Sequence, residues 1–505
     1  MIRTRLITRF LGALMMMIGV SMIVPWMIAL FAGIGEQGCF LASILLACGG
    51  GAALFFGSRF KRKDEISHRE AFVIATSGWI IAAGIAALPY YFFGWWFPHI
   101  GGKSQFPTFA MAYFESMSGL TTTGATILTN IEALPKSILF WRCLSHWLGG
   151  MGIILLGVAI LPFLGVGGMQ LFRAEVPGPT ADKLRPRVAE TAKTLWMVYV
   201  LLTAIQAVLL FVGGMSIFDA ICHSFSTLAT GGFSTRGISV EAYNSVYFEM
   251  VIVFFMILAG MNFALHFAWL RGDLKSVWKD EELRFYGIII FLWSTGIAFA
   301  LTVSGYYKNF LVAMRYSLFQ VVSLLTSTGF SSCNFDDWWI HKAGSGSHAS
   351  VPAIFMILML FFIGGSAGST GGGIKCIRIW LLLKTAYREF VKLIHPKMIR
   401  PIKINDQVVP EGIINSVIGF FVLFLVTTVV CSLVMTMYGL DLISAFTSVA
   451  ACIGNIGPGL LKVGPYQNFA TIPQGGQWLL IFCMLLGRLE IYTVLILLIP
   501  QFWRR

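Results

Sequence analysis

Long apolar runs recur along this 505-residue chain and leave little polar sequence between them. A helix needs about 20 apolar residues to cross a hydrocarbon core of roughly 30 Å. Hydrophobic residues make up 57% of the chain and charged residues only 12%, against about 25% charged in soluble domains. The sequence therefore predicts an all-α integral membrane protein. The ten predicted spans are approximately 11–33, 38–57, 71–95, 138–163, 194–214, 246–270, 285–304, 352–383, 411–438 and 476–500.

The net charge of +13 is carried largely by short basic blocks that border the apolar runs. The blocks fall on one side of the predicted membrane, and the loops of the other side carry only isolated charges. An excess of Lys and Arg marks the cytoplasmic side of an inner-membrane protein. We therefore predict a multi-pass protein of the bacterial inner membrane, surrounded by lipid, with both termini cytoplasmic and no nucleic-acid partner. The blocks are Arg3 to Arg9, Arg59 to Arg69, Arg173 to Lys193, Arg271 to Arg284, Lys375 to Lys403, and Arg504 with Arg505.

Four short segments between predicted spans share one design, in which about 12 mostly apolar residues precede a cluster of hydroxyl residues and glycine. They occupy 109–126, 219–235, 316–332 and 441–457. We aligned them on Gly124, Gly231, Gly329 and Gly454. Each repeat is predicted to consist of a helix, a re-entrant half-helix followed by a loop, and a second helix. The predicted fold is two N-terminal helices plus four helix–pore loop–helix repeats around a central pore. Its divisions are 1–60, 61–170, 171–272, 273–405 (with the glycine-rich segment) and 406–505.

This repeated unit favours cation conduction. Irregular backbone at membrane depth survives only where protein buries it or water lines it. A half-helix that enters from outside points its negative C-terminal end at the membrane centre, and the loop that follows can aim carbonyl oxygens at an ion. Glycine permits the required φ angles. Asp219 and Asp441 fall where N-caps of the second and fourth half-helices are expected.

Five motifs resemble the TrkH family within the TrkH/KtrB superfamily of potassium transporters: Ser118–Thr126, Ala229–Thr235, Gly364–Lys375, Ile453–Gly459 and Gly487–Thr493. The resemblance covers nearly the whole chain. It implies potassium as the transported ion, no organic cofactor on this chain, and a homodimer. The implied potassium filter comprises Thr122, Thr123, Gly124, Ala229, Thr230, Gly231, Ser327, Thr328, Gly329, Cys452, Ile453 and Gly454.

Some filter positions bear on ion preference. In related plant transporters, serine in place of the first filter glycine accompanies a preference for sodium, so Gly124 favours potassium. Thr230 and Cys452 depart from the family pattern, and either can tune ion occupancy.

The eighth predicted span contains six glycines between Gly364 and Gly373. A continuous helix is disfavoured there, since each glycine costs about 1 kcal/mol relative to alanine. The segment forms either a kink or close helix contact, or an intramembrane gate below the filter, which the resemblance supports. The segment does not match a phosphate-binding loop, because its glycines and lysine do not have the spacing that such a loop requires. Arg488, a lone cation in an apolar run, is predicted to face the cavity beneath the filter as an electrostatic barrier. The gate residues are Gly364, Gly365, Ser366, Gly368, Ser369, Thr370, Gly371, Gly372, Gly373 and Arg488.

The basic stretch 375–403 and the loop 164–193 are either solvated faces or a docking surface. The resemblance implies docking of a cytosolic TrkA-type regulatory ring that binds nucleotides. Three alternative functions remain, namely a secondary transporter of organic solutes, a membrane enzyme and a non-transporting scaffold. A solute-uptake assay would discriminate the first. The sequence also leaves open whether potassium flux is channel-like or a symport with protons or sodium.

Overall fold

The computed structural model describes residues 3–32, 35–58, 67–100, 102, 104–152, 188–339, 350–398 and 400–504, which are mostly helical. Within these ranges, six helical stretches are long and apolar enough to cross a membrane. Two further helix pairs qualify when each pair is taken as one broken span. The protein therefore has an all-α, multi-pass membrane architecture, as predicted. The six stretches are Thr4–Phe31, Gln37–Gly57, Arg69–Trp96, Lys193–Val212, Glu281–Val303 and Glu411–Met437.

Three helices precede the first repeat. Helix α1 (Thr4–Ser21) continues into α2 (Ile23–Ala32), and α3 (Gln37–Gly57) packs along α1. Small residues set their separation, since a methyl group added to Gly12 would lie 2.6 Å from the carbonyl oxygen of Gly51. Such small-residue contacts bring helix backbones together where lipid offers no hydrophobic driving force.

The first repeat contains one long helix, a half-helix and a second helix. A reciprocal capping box between Ser67 and Glu70 begins the long helix, which satisfies two N-terminal donors. The predicted span 138–163 is described only in part, because residues 153–163 lie outside the described ranges. The helices are α4 (His68–Trp96), α5 (Phe109–Leu120) and α6 (Lys136–Gly150).

The second repeat corrects two sequence predictions. The predicted single span 246–270 is two helices bent by 101°, and the Asn262 side chain caps the second by accepting from the Ala264 amide at 2.9 Å. Asp219 is not an N-cap, since the Ser216 hydroxyl caps that half-helix and Asp219 lies in its first turn. The helices are α7 (Val188–Val212), α8 (Ile217–Leu228), α9 (Val246–Gly260) and α10 (Phe263–Leu270).

The third repeat contains the glycine-rich segment. The predicted span 352–383 is interrupted, as expected, by non-helical backbone between residues 361 and 375. We call residues 361–375 the glycine loop. The helices are α11 (Leu274–Lys279), α12 (Glu281–Val303), half-helix α13 (Phe310–Leu325), α14 (Val351–Leu360) and α15 (Cys376–Ile394).

The fourth repeat begins with a two-stranded hairpin whose turn residues Asn405 and Asp406 both have positive φ, as type I′ turns require. Asp441 caps the half-helix by accepting from the Ser444 amide at 2.9 Å, which confirms that prediction. The last span bends by 112° after Arg488. The elements are β1 (Lys403–Ile404), β2 (Gln407–Val408), α16 (Glu411–Met437), half-helix α17 (Leu442–Ile453), α18 (Gln474–Arg488), α19 (Glu490–Leu495) and α20 (Pro500–Trp503).

A buried ion pair joins two helices of the first repeat, and its arginine also binds the second repeat. The Arg142 Nε donates to a Glu115 carboxylate oxygen at 2.7 Å, and both side chains are almost fully buried. Glu115 also accepts from the Thr126 hydroxyl and the Ile127 amide, and Arg142 donates to the Ser234 carbonyl. The pair thereby ties half-helix α5 to the extended segments that follow two half-helices.

We predict that Glu115→Ala lowers the stability of the purified protein by about 3–5 kcal/mol, because it leaves the Arg142 charge buried without its partner. Glu389→Ala is the matched control. Its ion pair with Lys392 is solvent-exposed, and its other partner, Arg388, keeps an ion pair with Glu411. We therefore expect an effect of about 0–1 kcal/mol. Thermal unfolding in detergent, followed by tryptophan fluorescence, measures both. Equal shifts in the midpoint would contradict a special role for the buried pair.

Candidate ion-conduction site

The four half-helices α5, α8, α13 and α17 end in the same way. In each, an amide N–H donates to the carbonyl five residues earlier, as in the Schellman C-cap. This shared bond sets the register of the four repeats residue by residue. The bonds run from Thr123 to Ser118 (2.9 Å), from Gly231 to Ser226 (2.8 Å), from Thr328 to Ser323 (2.8 Å) and from Ile456 to Ala451 (2.8 Å).

The residue before each of these amides has a positive φ, although none is glycine. The four are Thr122 (54°), Thr230 (52°), Ser327 (57°) and Asn455 (50°). A positive φ is uncommon outside glycine. In the first three, the hydroxyl donates to the carbonyl of the preceding residue at 2.6–2.7 Å. Asn455, a residue type that tolerates this conformation, donates from its amide to the Thr123 hydroxyl at 2.9 Å.

Two residues after each of these positions stands a glycine with positive φ, and the four glycines close a ring. A methyl group on any of them would collide with a backbone carbonyl of the next repeat. Glycine is therefore required for its conformation and for its lack of a side chain. The distances from such a methyl carbon are 2.1 Å from Gly124 to Gly231 O, 2.1 Å from Gly232 to Thr328 O, 2.0 Å from Gly329 to Ile456 O and 2.6 Å from Gly457 to Thr123 O.

The backbone register differs from the sequence alignment in two repeats. The sets Thr122 to Gly124 and Ser327 to Gly329 occupy equivalent positions, as aligned. In the second repeat the sequence alignment is shifted by one residue towards the N-terminus, because Gly232 and not Gly231 is the equivalent of Gly124. In the fourth repeat it is three residues early, because Gly457 holds that position.

The misaligned residues therefore lie outside the ring's equivalent three-residue loops. Ala229 and Gly454 are C-caps of their half-helices. Cys452 and Ile453 form the last turn of α17 and are fully buried. The ambiguity arose because adjacent glycines follow α8 and three closely spaced glycines follow α17. Asn455, Ile456, Gly457 and Gly232 were missed, and the available signal was the spacing of Gly454, Gly457 and Gly459, which offers more than one register.

The glycine loop lies against the ends of the half-helices. The Thr370 hydroxyl donates to the Leu228 carbonyl at 3.0 Å, at the end of α8. The Gly372 amide donates to the Ser327 hydroxyl at 2.5 Å. A methyl group on Gly372 would lie 2.3 Å from the Gly454 carbonyl oxygen. The loop therefore contacts three of the four half-helix ends, and its glycines allow that close approach.

Glu282 at the start of α12 binds the middle of the glycine loop and the first turn of helix α15, which follows the loop. Its Oε1 accepts from the Ala367 amide at 2.7 Å and from the Ile377 amide at 3.0 Å. The side chain is buried. This residue was not singled out from the sequence, because its contacts with the loop and with α15 are to backbone amides 85 and 95 residues away. Lys375 is also buried and donates to the Gly371 carbonyl.

Arg488 lies between the ring and the glycine loop. Its Nη1 donates to the Thr122 hydroxyl and to the Thr370 carbonyl, each at 3.2 Å. Its Nη2 donates to the carbonyls of Gly149 and Gly150 at the end of α6, where the helix dipole favours a cation. The guanidinium therefore contacts both the ring and the glycine loop. Glu490, two residues after Arg488, pairs with Arg378 at 2.6 Å.

The ring offers oxygen atoms from the backbone and from hydroxyl groups. Within the described ranges, no group of three or more His, Cys, Asp and Glu side chains could hold a metal ion. Carbonyl and hydroxyl oxygens are the ligands of alkali cations in selective pores. The arrangement therefore suits a weakly held monovalent cation, which must leave as readily as it enters.

Comparisons with known proteins agree with this architecture. The chain is 42% identical over 504 residues to the Trk system potassium uptake protein TrkH of Escherichia coli K12, with 99% of both chains covered. It is 35% identical to the Trk system potassium uptake protein TrkG of the same organism, again with 99% coverage of both. The crystal structure of the potassium transporter TrkH from Vibrio parahaemolyticus matches with a TM-score of 0.84 and 38% identity, covering 99% of this chain and 100% of that one.

The family profile of TrkH, described as a cation transport protein, matches residues 36–505. Proteins of this family are transporters and not enzymes, in agreement with the sequence prediction. This chain belongs to the TrkH family of cation transport proteins.

Proposed function

We propose that this chain takes up potassium across the bacterial inner membrane through the ring of four loops. The observation that carries the proposal is the closed ring in which each loop's glycine meets a carbonyl of the next repeat. The potassium assignment draws support from the relatives, whose names give potassium as their cargo.

The proposed filter comprises the three residues of each loop in the backbone register. Four half-helix C-termini converge beneath it, and their partial negative charges favour a cation there. Carbonyl oxygens of the loops replace the hydration shell of the ion. The filter residues are Thr122, Thr123, Gly124, Thr230, Gly231, Gly232, Ser327, Thr328, Gly329, Asn455, Ile456 and Gly457.

We propose that the glycine loop and Arg488 form the gate. The contacts of the loop with three half-helix ends support a position across the path of an ion that leaves the filter. Arg488 places a positive charge beside Thr122 and opposes the passage of cations. Opening requires the hydrogen bonds of Thr370, Gly372 and Arg488 to break, while Glu282 holds the loop at the Ala367 amide.

Several broader assignments complete the proposal. Both termini are cytoplasmic, the chain forms a homodimer, and its divisions are those given from the sequence. The proposed TrkA-type ring docks on the basic stretch 375–403 and on the loop 164–193. Most of that loop lies outside the described residues. The family name Trk system, which the relatives carry, supports control by a further subunit.

Growth at low potassium tests the function. We expect this chain, with its regulatory partner, to rescue a bacterium that lacks its own potassium importers and to support rubidium uptake. Gly329→Ala should abolish rescue, because the added methyl group meets the Ile456 carbonyl. Normal membrane expression of every variant is the control. Failure of the unmodified chain under these conditions would refute potassium uptake and direct attention to sodium flux.

Gly124→Ser tests the filter. The serine would be strained at a φ of 81° and its Cβ would meet the Gly231 carbonyl oxygen at 2.1 Å. We expect weaker discrimination of potassium from sodium, measured as the ratio of the two fluxes into liposomes. Gly287→Ser is the matched control, because an added Cβ there meets nothing within 4 Å. An unchanged flux ratio for Gly124→Ser would remove this loop from the filter.

Arg488→Ala tests the gate. We expect it to raise potassium flux into liposomes without the regulatory partner, because it removes the charge and the hydrogen bonds to the glycine loop, to the ring and to the end of α6. Arg488→Lys keeps the charge, so its potassium flux should be closer to that of the unmodified chain. Arg271→Ala, which changes an exposed arginine, is the control. A flux no higher than that of Arg271→Ala would exclude a barrier at Arg488.

A further inference from the structure

A basic cavity lies between helix α15 and the segment that leads into β1. Its volume is about 660 Å³, and four of its nine lining residues are basic. None of the lining residues is acidic. The lining residues that matter here are Trp380, Lys384, Tyr387, Arg388, Arg400 and Lys403.

Within the described ranges, two of these four cations form ion pairs with carboxylates and two do not. Lys384 binds Glu281, and Arg388 binds Glu411. Across the part of the chain that the structure describes, no carboxylate lies within 4.0 Å of the charged groups of Arg400 or Lys403. The guanidinium of Arg400 lies 5.2 Å from the centre of the Tyr387 ring. The cavity therefore presents two positive charges that an anion can neutralise.

The helix beside the cavity has the character of a membrane interface. Along α15, large apolar side chains that are mostly exposed alternate with basic ones. Leu383, Tyr387, Phe390, Leu393 and Ile394 are each more than half exposed. A helix that combines exposed apolar residues with Lys and Arg lies at the level of lipid headgroups, and Trp and Tyr are enriched at that depth. A ligand of this cavity therefore meets both charge and an apolar surface.

We infer that this cavity binds the headgroup of an anionic phospholipid. The phosphate lies between Arg400 and Lys403, and the acyl chains run along the exposed apolar side chains of α15. Basic pockets beside membrane helices recognise anionic headgroups by this combination. A free phosphate ion satisfies the charges but leaves the apolar surface of Leu383 and Phe390 uncovered. The cavity is separate from the ring and the glycine loop, so the lipid site does not depend on the proposed transport function. It lies within the stretch 375–403 proposed above for docking of the regulatory ring, so a bound lipid would occupy part of that surface.

Lipid titration of the purified full chain tests the inference. The probe is short-chain phosphatidylglycerol, and phosphatidylcholine of equal chain length and inorganic phosphate are the comparators. Arg400→Gln combined with Lys403→Gln should weaken phosphatidylglycerol binding roughly thirtyfold, as expected for two basic residues near a headgroup. Lys392→Gln combined with Lys397→Gln removes the same charge from the same segment outside the cavity, and should leave binding within about twofold, since neither side chain lines the site.

The outcomes separate the possible ligands. Selective phosphatidylglycerol binding that only the cavity variant loses supports the site. An equal loss of phosphatidylglycerol binding in both double variants would show that binding depends on general surface charge, and would overturn the inference. Inorganic phosphate that binds as tightly as the lipid would assign the cavity to a free anion. Unchanged lipid binding in the cavity variant, together with loss of partner-dependent uptake, would assign it to protein docking. Each of these last three results would overturn the lipid site.

Discussion

The close approach of four backbone loops is the constraint on which the rest of the structure depends. Backbone polar groups deep in a membrane need partners inside the protein. Here the four half-helices end in identical Schellman bonds, and each loop then packs its glycine against a carbonyl of the next. A side chain at any of the four glycines would separate the loops. The ring therefore exists only because four positions combine positive φ with the absence of a Cβ atom.

The elements around the ring satisfy and brace its backbone. Arg142, which is paired with Glu115 in the first repeat, donates to the Ser234 carbonyl of the second. Arg315 of α13 binds Glu249 of α9 at 2.6 Å. On the other side, the glycine loop donates to a carbonyl at the end of half-helix α8, and Arg488 donates to carbonyls at the end of α6. Two adjacent acidic residues connect the glycine loop to the region of the basic cavity. Glu282 holds the loop, and Glu281 binds Lys384 beside the basic cavity. The loop and the cavity thus meet at the start of one helix.

Much of the fold could be predicted from the sequence, because bilayer thickness imposes a length on every span. Six predicted spans appear as continuous apolar helices. The broken helices were harder to predict, since hydropathy responds to composition and not to direction. The span 246–270 is apolar throughout, yet it turns by 101° at Met261 and Asn262. Only the Asn262 side chain, which caps a new helix, signals the bend, and asparagine within a span is too weak a signal alone.

By itself the sequence determined the membrane class, the four repeated segments, the glycine-rich interruption and the cap at Asp441, because each depends on local residue types. Tertiary structure decided the register of the loops and the partners of the charged groups. Gly231 and Gly232 are equally plausible ring glycines in the sequence, but only Gly232 has the positive φ and faces the Thr328 carbonyl. Likewise Arg488 reaches Thr122, 366 residues away. Such choices depend on which backbone atoms come within contact distance, and that is fixed only when the repeats close into a ring.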